Sequence, residues 1–250
     1  MVKIGVIGGS GIYKIEGLPS TEISVNTEYG DVSVFVAQVD QTEVYFLPRH
    51  GLGHSVPPHL VNYRANIRAL QGLGADRIIA TNAVGSLNPD IKPGTVVLVD
   101  QFLDFTKLRK STFFEEGNVV HTDMTYPYCP EMIDVAYNVP TPFPKRKGGV
   151  MVVTEGPRFE SAAEVKAYGM LGGDVVGMTS IPEVVLSREA GMCYLSLAIV
   201  SNFAAGLQTE VSHHEVLDIM DKLNNQIQTF IVDLIKAMPE EKHCNCPRRA

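Results

Sequence analysis

Several residues able to bind an anion stand where apolar runs of this chain stop. Ser10 lies inside Gly8-Gly9-Ser10-Gly11, directly after the run Val2–Ile7. Arg49 and His50 follow the run that ends at Leu47. Asn82 and Ala83 begin Asn82-Ala83-Val84-Gly85-Ser86, and Thr179 immediately precedes Ser180-Ile181-Pro182-Glu183. A guanidinium, an imidazole, hydroxyls, backbone amides in a glycine turn and a positive helix end share one chemistry, the binding of an oxyanion such as phosphate. Each has a duller reading taken singly. Gly8–Gly11 could be only a tight turn, Arg49 a solvated charge and Thr179 part of a cap. Their joint placement at the ends of elements favours the anion site.

Two stock phosphate motifs fail. A dinucleotide fingerprint starting at Gly9 would need a glycine where Lys14 stands, and no Gly-Lys-Ser/Thr occurs to make a P-loop. Neither NAD nor ATP is indicated.

The elements that must position these residues read as strands alternating with helices. Strands are expected at Val2–Ile7, Val32–Val39, Glu43–Leu47, Arg77–Ala83, Thr95–Val99, Val150–Val153 and Met192–Val200. A helix opened by Pro57-Pro58 is expected to run to about Leu73. Ser180-x-x-Glu183 and Ser212-x-x-Glu215 read as capping boxes. They would start one helix that stops at Gly191 and another whose apolar residues keep helical spacing to Met238. Residues 103–147, rich in prolines and aromatics, are expected as irregular functional loops. The pattern implies an α/β fold, a single domain over residues 1–250 around a central mixed sheet flanked by helices, with 239–250 as a flexible tail. Ligands of such folds gather where strands end.

Composition narrows the classes further. With 250 residues, 45% hydrophobic and 20% charged, the chain can bury a proper core. A net charge of -7 argues against a nucleic-acid partner. No apolar run approaches the roughly 20 residues that span a bilayer, and no leader precedes the first strand, so a cytoplasmic protein without membrane contact is expected. Four cysteines are taken as thiols of a reducing compartment: Cys129 and Cys193 as inert packing, Cys244 and Cys246 as part of a frayed end. Their spacing matches no zinc motif, and no metal is expected.

Taken together and in order, certain blocks resemble the trimeric class of purine nucleoside phosphorylases, in the branch that includes the methylthioadenosine phosphorylases. They are Gly8–Gly11, Arg49-His50-Gly51, Asn62–Asn66, Asn82–Ser86, Glu155–Glu160 and Met178–Glu183. The resemblance covers nearly the whole chain. It implies a nucleoside phosphorylase-like fold and phosphorolysis, in which a nucleoside and phosphate give a free purine and a sugar 1-phosphate. It implies phosphate held by Ser10, Arg49, His50, Asn82, Ala83 and Thr179. It places the sugar on Met178, the purine on Phe159 and a catalytic amide donor to purine N7 at Asn202. The family uses no cofactor and no metal, phosphate being a co-substrate, and its sites lie near subunit contacts. A homotrimer or a dimer of trimers is therefore implied.

The chain departs from the methylthioadenosine enzymes, which carry aspartates at the positions of Asn202 and Ala204 and a serine at Glu160. A 6-oxopurine presents an N1–H donor, whereas a 6-aminopurine presents a bare N1. Ionised Glu160 can only accept and Asn202 can donate, so hypoxanthine and guanine fit. Glu160 would also suit a helix start, whose dipole favours a carboxylate. His213, opening the last helix, matches a histidine that meets the sugar 5′-hydroxyl in the 6-oxopurine branch. His121 matches one near the methylthio group in the other. The loop Ala205–Glu210 is shorter than in the methylthioadenosine enzymes. Inosine and guanosine are thus expected as substrates in purine salvage, with S-methyl-5′-thioinosine, giving methylthioribose 1-phosphate, as the alternative. A non-catalytic binder on the same fold would form no sugar 1-phosphate, and a hydrolase would ignore phosphate.

Overall fold

The computed structural model describes all residues except 1, 13, 14, 16, 54, 118 and 247–250. In chain order its elements are β1 (Lys3–Gly8), β2 (Ser20–Thr27), β3 (Gly30–Val39), β4 (Thr42–Pro48), α1 (Tyr63–Gly72), β5 (Arg77–Ser86), β6 (Val96–Leu98), β7 (Gln101–Phe105), α2 (Pro130–Asn138), β8 (Lys145–Lys147), β9 (Val150–Thr154), α3 (Ala162–Met170), β10 (Val175–Gly177), α4 (Ser180–Glu189), β11 (Cys193–Phe203) and α5 (His213–Ala237). The strands form one mixed sheet with helices packed against it, the single-domain α/β architecture the alternation predicts.

Beta-branched and aliphatic runs build the middle of that sheet. β11 is buried along all but its last residue, as a strand covered on both faces must be. It pairs parallel with β5, which pairs parallel with β1, which pairs parallel with β4. The C-terminal ends of these four strands therefore point the same way.

The sheet splits at β5. Its first half pairs with β1 as far as Ile7↔Ala80. Its last residues pair instead with antiparallel β10, at Val176↔Gly85 and Val175↔Ser86. Residues 81–84 lie between the two partners, with that edge open for side-chain chemistry. On the other edge, a register shift between Val200 and Asn202 makes a bulge in β11. The extra residue changes which face the following side chains meet.

Some expectations need correction. The segment 103–147 is not irregular throughout: it contains most of β7, all of α2 and β8. Their short lengths and interspersed prolines hid the periodicity. The helix expected from Pro57 divides into a 3-10 turn, Pro58–Leu60, and α1, which Asn62 caps by accepting from the Ala65 amide at 3.2 Å. Ser180-x-x-Glu183 is no capping box. Thr179 occupies the cap position, Ile181 is extended, and Glu183 is buried in an ion pair instead. Among the described residues the full box is Ser161-x-x-Glu164 at α3, a helix the sequence reading missed. β2 and β10 were missed as well.

The tail departs from expectation too. Residues 239–246 are held against the body: the His243 and Cys244 amides donate to Glu131, and Lys242 pairs with Asp76 at 3.0 Å. The remainder of the expected flexible tail, 247–250, lies outside the described residues.

Candidate active site

The split at β5 opens into a cleft. Ser10, Arg49, His50, Ala83, Phe159, Glu160, Met178, Thr179, Asn202 and His213 all line it. Residues from widely separated parts of the chain thus meet at the ends of the parallel strands.

Ser10, Arg49 and Ala83 reach the cleft from β1, β4 and β5. Arg49 follows β4, and its side chain is fully buried. Nε and Nη2 donate to the two Glu183 oxygens at 2.8 and 2.7 Å, and Nη1 donates to the Thr81 carbonyl at 2.7 Å. Burial opposes the charge, but Glu183 outweighs it and pushes the guanidinium's pKa up. Tyr194 donates a further hydrogen bond to Glu183 at 2.6 Å. The guanidinium plane is thereby fixed before any anion arrives, the preorganisation that makes such donors effective. His50 Nδ1 lies 2.8 Å from the Val56 carbonyl, which orients the ring.

Asn82 is buried and lies behind the cleft wall rather than on it. Its Nδ2 donates to Thr179 Oγ1 at 2.8 Å, and its Oδ1 accepts from Ser196 Oγ at 2.8 Å. Because Thr179 Oγ1 accepts from Asn82, its own proton is directed elsewhere. Asn82 thus holds the Thr179 hydroxyl from behind the cleft wall.

The glycine turn offers fewer amides than its composition promises. The Gly9 amide donates to Thr81 Oγ1 at 2.8 Å. A Cβ on Gly9 would stand 2.5 Å from the Thr81 carbonyl oxygen and 2.9 Å from Arg49 Nη1. Glycine is required there for close approach of the turn to β5 and Arg49, which brings the Ser10 hydroxyl into the cleft.

Glu160 and Asn202 also line the cleft. Glu160 sits just before α3, buried, and accepts from Thr154 Oγ1 at 2.6 Å. Asn202 stands beyond the β11 bulge and is 3% exposed. Its Oδ1 accepts from Ser201 Oγ at 2.7 Å, and its Nδ2 donates to the Phe203 carbonyl at 2.8 Å. These bonds fix which end of the amide donates, and Nδ2 carries a second hydrogen. Gly85 faces it across the strand pair, where a Cβ would lie 3.4 Å from Nδ2. Phe159 lines the cleft and is 37% exposed.

Burial pushes the Glu160 carboxyl above its ordinary pKa, and the Thr154 hydrogen bond offsets this only in part. The sign follows. A carboxyl raised in the folded state takes up protons more readily than in the unfolded chain. The stability from this group is complete below the unfolded pKa and is lost as pH rises through the raised folded pKa. The ionised acceptor is therefore held at a cost to stability. Affinity for a substrate with an N1–H should fall as pH drops through a pKa above the roughly 4.3 of free glutamate. A KM–pH profile on inosine checks this, and Glu160→Gln, which cannot ionise, should flatten that limb.

Two expectations meet different fates. His213, the first residue of α5, lines the cleft beside Val211 and Val216. His121 does not: it is exposed on the segment after β7 and is absent from the lining of this chain's cleft. Its match rests on resemblance alone.

Sequence reasoning missed Arg109. Its side chain is 2% exposed, and it donates to Glu155 Oε1 at 2.9 Å and to the Met178, Ile181 and Glu155 carbonyls, each at 2.6 Å. One guanidinium thus ties the loop before Phe159 to the loop carrying Met178 and Thr179. The only signal was an arginine in a loop-like segment, which by itself reads as a surface charge.

The model of the phosphorylase superfamily matches residues 3–236, and the chain belongs to that family. Among its relatives, a 6-oxopurine nucleoside phosphorylase of Pyrococcus furiosus is 49% identical, over 98% of this chain and 97% of the relative. A probable S-methyl-5′-thioinosine phosphorylase of Methanopyrus kandleri is 44% identical, over 98% and 96%. Methylthioadenosine phosphorylase from Schistosoma mansoni, solved in complex with adenine, superposes with a TM-score of 0.91 at 32% identity, covering 97% of this chain and 93% of that one.

Proposed function

We propose that this chain is a 6-oxopurine nucleoside phosphorylase, converting inosine or guanosine and inorganic phosphate to the free base and ribose 1-phosphate. The observation that carries the reading is a single cleft whose lining brings Glu160 and Asn202 together with Arg49, His50 and Thr179. Breaking the N-glycosidic bond develops positive charge on the sugar and negative charge on the purine, as in other oxocarbenium-like glycosyl transfers. Phosphate, held by the Arg49 guanidinium with Ser10, His50 and Thr179, stabilises the cation and then forms the new C1–O bond. Asn202 Nδ2 donates to N7 as the base leaves, and Glu160 accepts from N1–H. Phe159 covers the base, while Met178 and His213 meet the sugar. No step calls for a metal or an organic cofactor.

S-methyl-5′-thioinosine is the second reading, favoured by the apolar neighbours of His213, Val211 and Val216. Assembly as a trimer or a dimer of trimers belongs to the same proposal. The 106–126 segment exposes Leu108, Val119, Val120 and Tyr126, an apolar surface suited to a second copy. In such an assembly His121 would serve a neighbour's cleft. Among the described residues no helix is long and apolar enough to cross a membrane, and a cytoplasmic location is part of the proposal.

The test is product analysis with and without phosphate. Phosphate-dependent formation of ribose 1-phosphate is expected. Free ribose formed without phosphate would make the chain a hydrolase, and tight binding with no cleavage would make it a binder.

A further inference from the structure

Far from the cleft, the fold brings together cysteines that lie widely apart in sequence. The Sγ atoms of Cys129, Cys193, Cys244 and Cys246 all lie within 4.8 Å of one another, and none is in a disulfide. Cys193 and Cys244 approach to 3.4 Å. Cys129 stands at the N-cap of α2 and Cys193 opens β11. The other two come from the tail, which the Glu131 and Asp76 contacts hold in place. Cys129 and Cys193 are fully buried, Cys244 and Cys246 partly so.

A second observation concerns charge. Arg188 lines the same surface recess as Cys244 and Cys246. It is 4% exposed, yet its Nε and Nη1 are buried with no hydrogen-bond partner. A buried guanidinium with idle donors favours anions around it, and Asp123, which lines the same recess, supplies one. Neutral thiols or disulfides would add none. Four thiolates around a divalent ion carry a net charge of minus two and would add to it. Sulfurs on a tetrahedral zinc at about 2.3 Å stand roughly 3.8 Å apart, a spacing this cluster reaches with small side-chain adjustments.

We propose that Cys129, Cys193, Cys244 and Cys246 form a structural tetrathiolate site for zinc, which clasps the C-terminal tail onto the starts of α2 and β11. Binding exchanges four thiol protons for one Zn²⁺, with no change of oxidation state, and leaves a dianionic centre facing Arg188. All four positions are filled by protein, so the site is closed and structural rather than catalytic. Cys193 and Asn202 lie at opposite ends of β11, about 30 Å apart at the usual rise per residue. The inference is thus independent of the proposed reaction.

The sequence hid this site because Cys-x-Cys is shorter than the usual zinc spacing, and the other ligands come from remote elements. The expectation of inert packing cysteines and a frayed end is replaced by a single cluster.

The test uses the full, untagged chain purified under reducing conditions without chelator. Elemental analysis should find about one zinc per chain that survives dialysis. Exchange for Co²⁺ should give thiolate-to-cobalt charge transfer and the strong visible bands of a tetrahedral site. Cys246→Ser should lose the metal and lower Tm by roughly 5 °C or more, while phosphorolysis at ambient temperature stays unchanged. Should that variant fail to fold, the zinc content and cobalt spectrum of the unaltered chain still decide. Stoichiometric iron, zinc that washes away, titratable free thiols without metal, or disulfides in the intact mass of chain purified under reducing conditions would each overturn the proposal.

Discussion

Asn202→Ala should lower kcat on inosine by about a hundredfold or more, with a much smaller change in KM. The expectation rests on where charge develops. In the ground state N7 is an ordinary ring acceptor, but as the glycosidic bond breaks it takes up the electrons of the leaving base. A donor fixed before the reaction stabilises that charge most in the transition state and so acts on kcat. The losses on removing one preorganised donor correspond to about 3 kcal/mol. Asn202 is fixed in this way: Ser201 donates to its carbonyl oxygen, and the Phe203 carbonyl takes one hydrogen of its nitrogen. The bulge between Val200 and Asn202 puts the amide on the cleft side. Steady-state kinetics with Tm as a folding control check this. A rise in KM alone would mean that Asn202 only binds.

The double variant Glu160→Ser with Asn202→Asp should reverse the base preference. Expressed as the ratio of kcat/KM for adenosine over inosine, the shift should be about a hundredfold or more, the scale set by buried polar mismatches. In the unaltered cleft, the bare N1 of adenine would meet the lone pairs of a buried carboxylate, and the one remaining Asn202 amide hydrogen would find no acceptor in a 6-amino group, which also donates. A serine hydroxyl at 160 can donate to N1, and an aspartate at 202 can accept from the 6-amino group. Neither single change corrects both contacts, so the effects should be non-additive. Thr154 would lose its Glu160 acceptor, which makes folding of each variant a necessary control. An unchanged ratio in a folded double variant would remove the basis for reading the base from these residues.

The residues that make these predictions possible differ in how visible they were. The parallel strands were legible because their apolar runs are continuous and end in glycine or polar residues. From those ends the anion-binding set could be picked out, and Ser10, Arg49, His50, Ala83 and Thr179 do meet in one cleft. Glu160 and Asn202 needed the family pattern, since a glutamate before a helix and an asparagine after a strand have ordinary local explanations. Glu183 was misread for that reason: three residues after a serine it looks like a cap, but the buried Arg49 claims it. Arg109 and Asn82 bond to other residues around the cleft, and such contacts depend on tertiary geometry that local patterns do not encode. The cysteines carry the same lesson, because only the fold brings positions 129, 193, 244 and 246 together.

The measurement that bears most directly on the account is phosphate-dependent cleavage of inosine, guanosine, adenosine, methylthioinosine and methylthioadenosine, run in parallel. Strong cleavage of inosine and guanosine with refusal of both adenine nucleosides is the predicted result. Methylthioinosine well ahead of inosine would keep the base reading and reassign the sugar end around His213. Efficient cleavage of adenosine or methylthioadenosine would contradict the roles given to Glu160 and Asn202.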